Sequence, residues 1–248
     1  MKEKLKFYLF GLIIVHLFWL LASLILNNNA LVSPIIVYQN IFTKFDGSLI
    51  THILVSSKRV FISMLIALIS GIIIALLMDQ FKTLQRILNP VIYLLYPIPK
   101  PALLAIIMSL QGIGDTSKIT IIVLITFFQI VIYLESNLSQ IPDNLKYPLI
   151  CLGANKLQMI RYLKMPVIIP GIVASLKITI ASAFAILFLI ENYGTTQGLG
   201  YYIQDAWTKL NYVDMYTGVV FISFTCLFIF ILIEFIELKL QEKGYILD

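Results

Sequence analysis

The chain runs to 248 residues, 60% of them hydrophobic and only 12% charged, with a formal net charge of +5. A soluble globular domain carries about a quarter charged residues, and no polar interval here approaches the roughly 50 residues that an independent domain needs. These values exclude a soluble enzyme or a nucleic-acid-binding module and indicate an integral membrane protein, in which the placement of positive charge matters more than its sum.

Apolar runs of roughly 20 residues, long enough to cross a hydrocarbon core of about 30 Å, predict six membrane spans at residues 6–26, 58–78, 90–110, 118–137, 167–190 and 213–237. The first is longer than the roughly 7–15 residues of a signal-peptide core and has no clear small-x-small cleavage site after it, so it reads as a retained helix. His16 inside it is expected to donate an interhelical hydrogen bond rather than to bind a metal, and His52 sits in no ligand spacing. Within the third span, YPIPKPALLA brings three prolines and Lys100 together. Each proline removes an intrahelical hydrogen bond, so this span is expected either to kink or to be an interfacial loop leading into a shorter helix. Cys151 and Cys226 lie in different segments without metal-ligand spacing and read as ordinary apolar residues. Beyond the fifth span, GYYIQDAWTKL is expected to form a short amphipathic helix at the interface, where Tyr and Trp commonly sit.

Six spans place both ends of the chain on one side. Lys2, Lys4, Lys6, Lys82, Arg86, Lys146, Lys156, Arg161, Lys164, Lys239 and Lys243 then share that side, against Lys44, Lys58, Arg59, Lys118 and Lys209 on the other. The positive-inside bias makes the first side cytoplasmic, and Asp46, Asp115, Glu191, Asp205 and Asp214 fall outside.

One cytoplasmic stretch, CLGANKLQMIRYLKMP at 151–166, is cationic and helix-like although it lies between oily segments. Pro142, Asp143 and Asn144 upstream are expected to supply a turn and a helix N-cap, with Pro148 tolerable near the first turn. Gly153 can take positive φ and reverse the chain. Leu157, Ile160, Arg161 and Lys164 then follow helical spacing, and Pro166 and Pro170 open the fifth span. Physics alone leaves two readings open: a basic helix resting on anionic headgroups, or a docking element for a groove on a cytoplasmic partner.

The spacing from Gly153 through nine residues to Leu163-Lys164-Met165-Pro166 resembles the E-A-A-x3-G-x9-I-x-L-P loop of binding-protein-dependent ABC importer permeases, with Tyr147-Pro148-Leu149 standing where Glu-Ala-Ala would be. YPIPKPALLAIIMSLQGIGDTSKI at 96–119 and LKITIASAFAILFLIENYGTTQGLGYYIQDA at 176–206 are similar to segments of the nitrate, sulfonate, taurine and thiamine-precursor branch of that family. The resemblance covers about residues 50–238. It implies an all-α membrane protein of the type I, MetI-like permease fold: a single permease domain over 1–248 whose cytoplasmic coupling loop occupies about 138–166. It implies no cofactor in this chain, with ATP and Mg held by two partner ATP-binding cassette subunits. It also implies an extracellular substrate-binding protein, a second permease copy (a homodimer), and a place in the cell membrane. On that reading Gly153, Ala154, Asn155, Lys156, Arg161 and Pro166 couple to the ATPase, and the cargo is a small solute such as a sulfonate, taurine, nitrate or a pyrimidine.

Ionisable groups near the membrane interior are functional candidates by default. Glu191 is read as a gate, an inter-subunit or a binding-protein contact, or as a helix-end carboxylate in water. Lys177 and Lys100 either face the pathway or serve locally, Lys177 by snorkelling to the cytoplasm. The stretch GSLITHILVSSKRV, 47–60, is similar to an interfacial helix leading into the second span, with Lys58 and Arg59 either meeting an acidic partner or plainly solvated. The rival function is a secondary transporter, but the two halves show no convincing repeat. A membrane enzyme lacks any nucleophile–base pair or ligand cluster.

Overall fold

A computed structural model describes residues 2–26, 28–44 and 47–242. Asp46 and Lys243 lie outside the described residues, as do the side chains of Lys2, Lys4 and Lys44. All regular structure among the described residues is helical. Among the described residues five helices are long and apolar enough to cross a membrane, and a bent pair passes the same test when its halves are taken together. They are α1 (Lys2–Leu26), α3 (Gly47–Gln80), α6 (Asp115–Ser139), α9 (Met165–Ile190) and α11 (Tyr212–Glu242), with the pair formed by α4 (Lys82–Leu95) and α5 (Leu104–Gln111). Among the described residues the shorter helices are α2 (Pro34–Lys44), α7 (Asp143–Cys151), α8 (Lys156–Met159) and α10 (Leu199–Thr208), with a 3-10 turn at Lys100–Leu103 and a π-helical turn at Ile160–Lys164.

The core is the triplet α3, α6 and α9. Its most extensive interface joins α3 to α6, where a Cβ on Gly71 would stand 2.7 Å from Ile130 Cγ2. A glycine here lets two helix backbones approach closely, the main source of attraction where lipid is as apolar as the side chains. Val60, Ile121, Ile180 and Leu187 fill one half of this core, and Ala75, Leu134, Leu138 and Ile168 the other. α1 stands at the periphery, held where its Trp19 ring stacks on Tyr216 of α11 at 5.5 Å and its His16 bonds Tyr38 of α2. Trp19 is late in α1 and Tyr216 early in α11, so the start of α1 and the end of α11 lie at the same end of the bundle.

Three elements differ from the sequence-based expectation. The second span is not preceded by a separate interfacial helix, because α3 is one unbroken rod of 34 residues, about 50 Å long at 1.5 Å per residue. No proline and no glycine between Gly47 and Gly71 interrupts it. The third span begins earlier, at Lys82, and breaks between Tyr96 and Pro99, so that its halves meet at 87°. The freed carbonyls at that break are met from within: Lys100 Nζ donates to Leu95 O at 2.5 Å and to Tyr96 O, and lies 5.0 Å from the Phe128 ring centre. The helix α2 was not anticipated.

Candidate functional site

Two polar assemblies stand at opposite ends of the α3–α9 core. At the first, α3 carries His52, Ser56, Arg59 and Ser63 at i, i+4, i+7 and i+11, a single helix face turned inward. Arg59 is 3% exposed and Glu191, one residue past α9, is wholly buried. Arg59 Nη1 donates to Glu191 Oε1 at 2.6 Å and to the Gln197 carbonyl at 2.8 Å, while Nε and Nη2 reach Asp115 Oδ1 at 2.9 and 2.6 Å. Ser56 Oγ donates to the Glu191 carboxylate at 2.8–2.9 Å and accepts from the Leu199 backbone N–H at 2.7 Å. The Gly200 N–H donates to Glu191 Oε2 at 2.8 Å, and the Gly198 N–H to His52 Nδ1 at 3.0 Å. Burial pushes the Glu191 carboxyl above the usual range, and the bonds from Arg59, Gly200 and Ser56 pull against that rise. Lys118 of α6, also wholly buried, donates to the carbonyls of Gly114 and Gly194 at 3.3 Å. Two cations and two carboxylates therefore cancel.

Chemically this knot is a clamp. It fastens the loop 191–198 and the start of α10 onto α3 and α6, and every ionic group in it is already engaged. Glu191 is not a water-exposed helix end, because the glycine-rich chain folds back over it. Arg59 is neither solvated nor offered to a partner, whereas its neighbour Lys58 is exposed.

At the opposite end the segment after α6 reverses twice. α7 stops where Gly153 takes φ +76° and donates to Ile150 O at 2.9 Å. Ala154, half-buried, donates back to Leu149 O at 3.0 Å. Asn155 then caps α8 through a reciprocal capping box with Gln158, at 2.9 and 2.7 Å. Lys156 lies 5.5 Å from the Phe81 ring centre, and the exposed Arg161 stacks on its neighbour Tyr162. Residues Ile160–Lys164 form a π-helical turn that runs into α9, with Pro166 in its first turn. In a straight α-helix Leu157 and Lys164, seven apart, share a face. The widened turn separates them: Leu157 is 73% exposed and Lys164 only 9%. Lys164 instead turns to α3, pairing with Asp79 Oδ2 at 2.5 Å and donating to Gln80 Oε1 at 3.3 Å. Leu152, at 83% exposed, and Leu157 project from this end.

The other predicted ionisable residues are placed between these ends. Lys177 pairs with Glu237 of α11 and borders a groove of about 850 Å³ between α9 and α11, walled by Phe184, Phe188, Met215 and Phe230. Lys100 is spent on the α4 break. His16, as expected, bonds between helices. Cys151 is exposed and Cys226 half-buried, both as free thiols. The described residues contain no cluster of three or more His, Cys, Asp or Glu able to hold a metal.

Residues 67–242 match the family described as "Binding-protein-dependent transport system inner membrane component". The chain belongs to this family. It is a permease of the ABC importer type, a multi-pass transport subunit rather than an enzyme. Among its relatives, the taurine transport system permease protein TauC of Escherichia coli is 29% identical over 65% of this chain and 58% of its own length. The nitrate import permease protein NrtB of Synechococcus elongatus is 29% identical over 83% of this chain and 79% of its own. The formylaminopyrimidine transport permease protein ThiX of Halalkalibacterium halodurans is 24% identical over 89% and 88%. A bacterial ABC transporter involved in import of the acidic polysaccharide alginate shares the fold, with a TM-score of 0.68 at 17% identity over 96% of both chains. The permease's own cluster of Arg59, Asp115, Lys118 and Ser56 was not read from the sequence as a unit. The polar stripe at helical spacing in an otherwise apolar span was the signal that marks it.

Proposed function

We propose that this permease pairs with a second copy of itself in the cell membrane and passes a small solute by alternating access, with both chain ends cytoplasmic. On this reading the whole chain is one permease domain with its core at 50–238. Two partner ATPases hold ATP and Mg, and the segment 138–166 is their docking element through Gly153, Ala154, Asn155, Lys156, Arg161 and Pro166. The observation that carries it is the capped, protruding turn around α8. Leu152 and Leu157 project there from a backbone stiffened by the capping box, as a plug for a groove on another protein. A binding protein delivers cargo at the Glu191 end. The groove beside Lys177 supports a small organic solute, a sulfonate or a heterocycle, over a bare anion: its walls are largely apolar, with Phe184, Phe188 and Phe230 among them, and its one lysine is neutralised by Glu237.

The test is purification from native membranes in mild detergent with mass spectrometry of what accompanies the chain. A P-loop ATPase is expected. Gly153→Pro cannot hold φ +76°, since proline fixes φ near −65°, and Leu157→Asp places a charge on the plug. Each is expected to cut ATPase recovery at least about tenfold, equivalent to about 1.4 kcal/mol, with membrane insertion unchanged. Recovery of the chain alone, with uptake intact, would overturn the reading of 138–166 as the docking element.

A further inference from the structure

The docking segment is not tied to the bundle only through α9. It also grips the end of α3, and it does so with a charge pair that the docking surface does not use. We propose that α3 is the rod that carries motion from the ATPase-facing end to the Glu191 end, and that the Asp79–Lys164 pair is the pin through which the docking segment moves it. This rests on the reading of 138–166 as the docking element.

Four observations converge on that pin. Lys164 and Asp79 are shielded, with side chains 11% and 18% exposed and 2.5 Å apart, and Gln80 holds the ammonium from a second side. An exposed pair contributes little, but a shielded one in good geometry fixes position. The π turn at Ile160–Lys164 is what brings the lysine around to α3, and such turns concentrate at functional sites. A second tie, Lys156 over the Phe81 ring, lies beside the pin. At its far end the same unbroken helix carries Ser56 and Arg59 into the Glu191 clamp.

α3 is therefore pinned to the start of α9 by Asp79–Lys164 and to its end by Arg59–Glu191. A displacement of the docking segment cannot be absorbed by sliding α9 along α3. It must appear at the Glu191 end as a movement of the pair of helices together. Asp79 and Lys164 are positioning residues, since neither is placed on the exposed plug.

The test uses the permease with its partner ATPase in nanodiscs and proteoliposomes, with the binding protein and its cargo supplied. Asp79→Asn and Lys164→Met are expected to retain ATPase stoichiometry and basal ATP hydrolysis. Cargo-loaded binding protein should no longer stimulate hydrolysis, and uptake should fall at least about tenfold, the scale of a typical coupling free energy. The charge exchange D79K/K164D should restore uptake to within about threefold of the unaltered complex, within the same coupling scale. If the single variants do not accumulate, the exchanged pair decides by itself: an assembled complex that transports supports the pin, and one that does not overturns it. Single variants that bind the ATPase and transport normally also overturn it, and leave the docking reading standing. Failure of the unaltered chain to bind any ATPase removes the docking reading, and the pin with it.

Discussion

Arg59→Met is expected to destabilise the permease by about 3–5 kcal/mol, the cost of leaving a buried ion without its partner. Glu191 is wholly buried, and the guanidinium is its only cationic hydrogen-bond donor among the described residues. Without Arg59 the carboxylate keeps Ser56 and the Gly200 N–H, Asp115 loses both of its bonds from Arg59, and the Gln197 carbonyl loses its donor. The second variant separates an orphaned charge from a lost contact. In Arg59→Met/Glu191→Leu no buried carboxylate is stranded at position 191, so at least about half of the loss is expected to return. Thermal unfolding in detergent reads both. An Arg59→Met melting temperature equal to that of the unaltered chain would show that the knot does not hold the loop. Lys58→Met, one residue away and exposed, is expected to change the melting temperature little.

Gly200→Ala is the second large effect. Here no unusual backbone angle is involved, only space. An added Cβ would stand 2.8 Å from the Phe188 carbonyl oxygen, 3.0 Å from Phe188 Cα and 2.8 Å from Glu191 Cβ. Two of those three neighbours are backbone and cannot rotate away, so the start of α10 must lift off the end of α9. Overpacking of this kind costs about 1–3 kcal/mol, and the lift also stretches the Gly200 N–H bond to Glu191. Gly198→Ala adds backbone strain to the same crowding, with φ at +124° and the Glu191 carboxyl 2.4 Å from the new atom. Both variants should melt earlier and yield less folded protein. A Gly200→Ala protein with unchanged melting would mean that α10 does not seat as closely as described.

The membrane-crossing pattern was legible in the sequence because it depends on run length alone. The fifth and sixth spans, read at 167–190 and 213–237, correspond to α9 and α11 to within a few residues. Residues 199–208 form the short helix read in GYYIQDAWTKL. What escaped depends on pairing across the fold. Glu191 was visible as an ionisable group near the membrane, but its partner Arg59 lies 132 residues away and was read as part of a basic cluster with Lys58. The register of Lys164 escaped for a different reason. Helical spacing places it with Leu157, and only the extra residue in the π turn sends the two side chains to opposite surroundings. The 87° break was legible as prolines, but the role of Lys100 in capping it was not, because a lysine donating to carbonyls four and five residues back leaves no pattern of its own.

The pinning of α3 has an electrical corollary. Moving one elementary charge through a membrane potential of 100 mV takes about 2.3 kcal/mol. At one end of the rod Arg59 pairs with Glu191 and Asp115 while Lys118 is held by the Gly114 and Gly194 carbonyls, and at the other Asp79 sits against Lys164. Each buried set is balanced, so these groups add no gating charge of their own to a tilt of the rod, and any such charge comes from exposed residues such as Lys58 on the same helix. Among these buried groups, then, a membrane potential finds no net charge to act on.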